Sequence, residues 1–289
     1  MRSAVECVWS LQAELGEGPI WLPADRAVWF VDIKKNRIHR YEPESGRKRS
    51  YDAPPSPSFI VPSEDGKFVV GLRSGLNRFD PSTADFQLLC EVEPELTGNR
   101  LNDGALDGEG RLWFGSMDDG EVQQTGTLYR LDRGEPVPVD PGYQIPNGPC
   151  FSPDGRTLYH TDTRANTIFK FDVGDDGSVS NKRVFVVIDD GAGHPDGSVT
   201  DAEGHLWTCL FFGWEARRYA PDGRLVATVK FPCSNITKLT FGGGDLRSAY
   251  VTTACHALNS RQRAEQPLAG ALFCFQTDVP GLPQGVLHV

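Results

Sequence analysis

A chain of 289 residues with 31 Gly, 21 Pro and 39% hydrophobic residues can bury a sizeable core, and turn formers spread along its length favour many short strands over long helices. Its net charge of -10 argues against a nucleic-acid backbone as partner, since phosphate binding needs clustered Lys and Arg; a neutral ligand or a cation fits better. No apolar run approaches the roughly 18 residues that cross a bilayer, so no membrane association is expected.

The N-terminal stretch Met1-Arg2-Ser3-Ala4-Val5-Glu6 carries one basic residue and no apolar core. It does not read as a secretory signal, and the cytoplasm is the expected location. "VECVWSL" at 5–11 follows, a strand-like segment with no partner nearby in sequence. One unit then recurs six times, a turn leading into a short aromatic or β-branched strand: "ADRAVWFVDI", "EDGKFVVGLR", "GEGRLWFGSM", "PDGRTLYHTD", "AEGHLWTCLF" and "GDLRSAYVTT". The central residues Trp29, Val69, Trp113, Tyr159, Trp207 and Tyr250 are 40, 44, 46, 48 and 43 residues apart, the period of four-stranded propeller blades. A second strand ending in a polar turn follows each, in "NRIHRYEP", "SGLNRFDP", "GTLYRLDR", "NTIFKFDV", "WEARRYAP" and "GALFCFQT".

These repeats predict an all-β chain, a six-bladed β-propeller of four-stranded antiparallel blades forming one domain over 1–289. The segment at 5–11 would supply the outer strand of the last blade, closing the ring and removing exposed edges. The repeated Trp and Tyr read as core, and the D-G turns lack the D-x-D-x-D-G run of a calcium-binding EF-hand loop. Seven Cys with no C-x-x-C pair read as reduced packing residues.

Counting about a dozen residues back from a central aromatic reaches the start of the innermost strand, which faces the axial channel. Twelve back from Trp29 is Glu17, eleven back from Trp113 is Asn102, twelve back from Tyr159 is Asn147, and eleven back from Trp207 is Asp196. In a closed ring these positions converge on one mouth of the channel. Glu17, Asn147 and Asp196 then make a hard oxygen set that suits Ca²⁺, Mg²⁺ or Mn²⁺ better than Zn²⁺ and also admits Fe²⁺. Without a cation the two carboxylates would repel, and one would tend to hold a proton.

"LGEGPIW", "NRLNDGALDGEGRLWFGSM", "IPNGPCFSPDGRTLYHTDT", "HPDGSVTDAEGHLW" and "KLTFGGGDLRSAYVTTA" together resemble the senescence-marker-protein, gluconolactonase and regucalcin family, and within it the aldonolactonases of the xylonolactonase and arabinolactonase group. The resemblance implies a six-bladed propeller with a single divalent cation on Glu17, Asn147 and Asp196. It also implies substrate contacts from Arg100, Asn102 and Asp103, with Glu121 in the acidic position after the G-S-M strand. The activity implied is hydrolysis of a sugar lactone to its aldonic acid by a monomer or weak homo-oligomer. The cation would polarise the carbonyl and acidify water, Asp196 or alternatively Glu17 would act as general base, and Arg100 would orient the ring.

Two rivals share this scaffold, a non-enzymatic calcium-binding propeller and an organophosphate hydrolase. A Ser-His-Asp hydrolase is disfavoured: there is no G-x-S-x-G elbow and the six His show no partner spacing. "GGGD" at 242–245 precedes a strand instead of opening a helix, so it does not read as a nucleotide site. His194, two residues before Asp196, reads as a surface or packing residue that could border the channel.

Overall fold

In a computed structural model that describes residues 4–288, strand follows strand in the order the repeats predict. After β1 (Glu6–Trp9), blade one comprises β2 (Gly16–Leu22), β3 (Ala27–Asp32), β4 (Arg37–Glu42) and β5 (Arg47–Asp52). Blade two comprises β6 (Phe59–Pro62), β7 (Phe68–Leu72), β8 (Gly75–Asp80) and β9 (Asp85–Cys90). Blade three comprises β10 (Asn99–Leu106), β11 (Leu112–Asp118), β12 (Gly126–Asp132) and β13 (Glu135–Tyr143). Blade four comprises β14 (Pro146–Phe151), β15 (Thr157–Asp162), β16 (Thr167–Val173) and β17 (Val179–Val187). Blade five comprises β18 (His194–Thr200), β19 (Leu206–Phe211), β20 (Glu215–Tyr219) and β21 (Leu225–Lys230). Blade six runs β22 (Ile236–Gly242) and β23 (Ser248–Thr253), then the short helix α1 (Ser260–Glu265), then β24 (Leu272–Gln276).

Every blade pairs antiparallel in chain order, and β1 completes the sixth outside β24, with Glu6 opposite Cys274 and Cys7 opposite Phe273. The predicted closure is therefore present. Helix α1 lies outside the repeat period; Asn259 caps it, accepting from Gln262 N while the Gln262 side chain accepts from the Asn259 backbone, a reciprocal capping box. Among the described residues no helix is long and apolar enough to cross a membrane.

The core lies between blades, where the central aromatics pack. Trp29 sits 4.7 Å from Phe68, Trp113 5.5 Å from Phe151 and Trp207 5.8 Å from Phe275. Each indole N–H donates to a turn carboxylate, Asp25, Asp107 or Asp201, at 2.9 to 3.0 Å. These turn aspartates are thus partners for buried Trp N–H groups, which need one when desolvated. Arg40, Arg130 and Arg218 lie over the same three rings at 5.6 to 6.0 Å. Truncating any of these Trp to Ala is expected to cost about 3–5 kcal/mol. All seven cysteines are free thiols.

Candidate active site

The candidate residues share one backbone device. Glu17 stands three residues before Ile20, the cross-strand partner of Trp29. Asn102 has the same offset from Ala105, opposite Trp113; Asn147 from Cys150, opposite Tyr159; and Asp196 from Val199, opposite Trp207. In all four strands a register shift begins at the candidate or spans it. Such a bulge re-aims side chains away from simple alternation, here toward the channel. The inner strand of blade two, β6, pairs without a shift and supplies no candidate. At Gly148 the bulge requires glycine: φ is +50°, and a Cβ would stand 2.7 Å from Ser198 N on the next blade.

Glu17, Arg100, Asn102, Glu121, Asn147 and Asp196 line one cavity enclosing about 630 Å³ of empty space including its open mouth. Burial, and then the charge of Asp103, push the Glu17 carboxyl up to about 8. Burial, then Glu17 and Asp103, hold that of Asp196 well above the usual carboxylate range. Among the described residues neither carboxylate has a salt-bridge partner. Lys238, which faces them, is committed to Asp103 at 2.5 Å.

One hydrogen-bonded chain links the polar groups. Arg100 donates from Nε to Asp119 Oδ1 (2.8 Å) and from Nη1 to Asn102 Oδ1 (2.8 Å) and Leu101 O (3.0 Å). Asn102 Nδ2 donates to Asn147 Oδ1 (2.9 Å) and Pro146 O (2.8 Å). Asn147 Nδ2 donates to Thr163 Oγ1 (2.9 Å), whose hydroxyl donates to Pro195 O (2.8 Å). Asn147 Oδ1 keeps one lone pair, and Arg100 keeps its Nη2 hydrogens.

Asp103 departs from the expectation of a substrate contact. It lies beneath the cavity and not in its lining, with Oδ1 accepting from Gly104 N and Lys238 and Oδ2 from Gly148 N. Both oxygens are engaged, Oδ2 tying β10 to the neighbouring inner strand β14 and Oδ1 tying it to β22 of blade six. Glu121 does reach the cavity, where it pairs with Arg164 at 2.8 Å. His194 also lines it, with Nδ1 2.6 Å from Asn166 Oδ1.

Sequence reasoning missed Lys238, Asp119 and His256. Counting twelve back from Tyr250 lands on Lys238, a signal passed over because Lys is no oxygen donor. Asp119, in the loop after β11, gathers Arg100, Lys34 and Arg73. Burial opposes its charge, but Lys34 and Arg100 hold its carboxyl well below the usual range. His256, in the stretch between β23 and α1, lines the cavity 4.0 Å from Glu121.

The donor chemistry fits a hard divalent cation: two buried carboxylates lack cationic partners, and an amide oxygen has a free lone pair. Among the described residues no three His, Cys, Asp or Glu side chains gather in metal-binding fashion, so a cation here would take Asn147 as its third protein ligand.

A sequence model of the SMP-30/Gluconolactonase/LRE-like region matches residues 15–255. The chain belongs to this family. Within the SMP-30/gluconolactonase/LRE-like family, a 6-deoxy-6-sulfogluconolactonase from Pseudomonas putida is 30% identical over 283 residues, covering 97% of each chain. An L-arabinolactonase from Azospirillum brasilense is 34% identical over 275 residues, covering 93% of this chain and 90% of its own. Among solved structures, a calcium-binding protein, regucalcin, from Agrobacterium tumefaciens superposes with a TM-score of 0.96 at 30% identity, covering 99% of this chain and 98% of that one.

Proposed function

We propose that this chain hydrolyses a sugar lactone, a pentonolactone or hexonolactone of sugar oxidation, to its aldonic acid, with one divalent cation on Glu17, Asn147 and Asp196. The observation that carries this reading is the pairing of two buried carboxylates that lack cationic partners among the described residues with the Arg100 donor fork across one cavity. Relatives named as sugar lactonases over nearly the full chain support it. A bound cation, Ca²⁺, Mg²⁺, Mn²⁺, Zn²⁺ or Fe²⁺, supplies Lewis-acid polarisation and acidifies water.

Asp196 accepts a proton from the attacking water through a carboxylate oxygen left free of the cation, as the water oxygen bonds to the lactone carbonyl carbon. When the ring C–O bond breaks, the departing ring oxygen recovers that proton. Arg100 orients the ring through its Nη2 hydrogens. Asn102, with both amide hydrogens engaged, holds Asn147 in place and keeps one acceptor lone pair for a substrate hydroxyl.

The test is a pH-indicator assay over aldono-1,4- and 1,5-lactones, using protein stripped of divalent ions and reloaded with single cations. Turnover that appears on reloading is the expected result. Cation binding without turnover of any lactone would leave the calcium-binding reading that the regucalcin likeness favours. Faster turnover of organophosphate triesters than of lactones would replace the lactonase reading.

A further inference from the structure

The hairpins joining second to third strands stand at the channel mouth, because the ends of the second strands pair with the candidate-bearing starts of the inner strands. Their left-handed positions follow turn chemistry in blades one, two and four, whereas Glu121 (φ +57°) in blade three and Ala257 (φ +60°) in blade six do not. Asn36 (φ +54°) directly precedes β4, Asn166 (φ +53°) directly precedes β16, and Gly75 (φ +123°) opens β8. Asn and Gly tolerate this conformation at little cost. Blade five breaks the rule twice, and with large aromatic residues. Trp214 (φ +62°) directly precedes β20, and Phe212 (φ +63°) directly follows β19.

A bulky side chain with positive φ is an outlier, and such strain persists only where the surroundings over-determine it. Here Gly213 N donates to Leu210 O at 3.1 Å, Trp214 N to Ser234 O at 3.1 Å and Phe231 N to Trp214 O at 2.9 Å. Core packing does not account for Phe212: its side chain is 40% exposed and lines the cavity. The half-buried Phe211 ring braces it edge-on, centroids 4.9 Å apart and planes at 81°. A strained, exposed aromatic at the mouth, where local rules call for Asn or Gly, marks a ligand contact.

We propose that Phe212 is the platform on which the C–H face of a cyclic sugar lies, and so a specificity-determining residue; this rests on the lactone reading of the cavity. A sugar ring carries hydroxyls around its edge and C–H bonds on its faces. The polar edge meets Arg100, Asn102 and Glu121, while a face lies on the aromatic ring.

The experiment compares wild type with Phe212→Asn, a residue that tolerates the positive φ of this position, and with Phe212→Tyr. Phe212→Asn raises KM for sugar lactones about threefold to tenfold, the range an aromatic contact gives, with kcat within about twofold and Tm within about 3 °C. Loss of ground-state binding has that KM-only form. Phe212→Tyr restores wild-type KM. In Phe212→Trp, tested as cation-loaded protein, the added indole emission is quenched on titration with an aldonate. An unchanged KM in Phe212→Asn, or a fall in kcat at constant KM, overturns the platform while leaving the lactonase reading standing. If wild type turns over no lactone, that reading fails by itself, and the indole titration still decides: emission indifferent to aldonates overturns the platform.

Discussion

Lys238→Met separates the support of the site from its chemistry. Lys238 Nζ lies 2.5 Å from Asp103 Oδ1, with side-chain exposures of only 5% and 2%. Burial works against the ammonium, but Asp103 and then Glu17 outweigh it and raise its pKa. The substitution keeps an unbranched apolar stem and deletes the charge. Asp103 is left buried with two backbone N–H partners, Gly104 and Gly148. Breaking a buried pair from one side costs about 3–5 kcal/mol, and the two remaining bonds place this case near 3. In a chain of this size that corresponds to a Tm fall of about 6–10 °C. Asp103→Asn on top of Lys238→Met removes the orphaned charge, so the double variant should regain about 2 kcal/mol, a coupling that urea unfolding of the full cycle reads directly. A single-variant loss below about 1 kcal/mol, or additive effects, would refute the view that this ion pair braces the inner strands.

Three further outcomes follow from the same geometry. In cation-free protein Glu17 titrates near 8 against about 4.3 unfolded, so the unfolded chain gives up its proton first and stability falls as pH rises through that window. Cation-free Glu17→Gln should therefore be the more stable protein by pH 8 while binding cations more weakly; thermal melts across pH and calorimetric titration check both, and parallel melting curves would sink the argument. Asp196→Asn at saturating cation should lose about 10²–10⁴-fold in lactonase rate; near-normal turnover at full occupancy would reduce Asp196 to a ligand. His160, whose ring nitrogens have no partner among the described residues, lies edge-on to Tyr143 at 4.6 Å, and burial, then Lys182, lower its pKa to about 3. Below about pH 6.5 the unfolded chain takes a proton that the fold refuses, so stability drops by up to about 4 kcal/mol toward pH 3, and His160→Phe should flatten that acid limb of the urea-derived stability curve.

The fold was legible because its period is long and its central positions are aromatic, so six spaced maxima survive without any single strand being certain. The site was legible through a count, and the register explains why the count worked to within one residue. Each oxygen-bearing candidate stands three residues before the partner of its blade's central aromatic, and hairpin length alone makes the count eleven or twelve. In blade six Tyr250 pairs with Thr240, so the equivalent residue is Thr237, and the count of twelve falls one step later, on Lys238. Asp103 was misjudged for a related reason. The bulge between Leu101 and Gly104 breaks the alternation from which facing is read, and a motif naming two adjacent polar residues cannot say which is turned to the channel. Asp119 was invisible because its role depends on Lys34, Arg73 and Arg100, which lie far apart in sequence and meet only when the ring closes. Phe212 contradicts turn chemistry, and only its φ and its place in the cavity wall show that the contradiction is informative. Period and spacing thus locate the repeated inner-strand positions that line the cavity, whereas what distinguishes one blade from the next emerges only in the folded ring, for Lys238 and Asp119 from contacts between blades and for Phe212 from its backbone conformation and its place in the cavity wall.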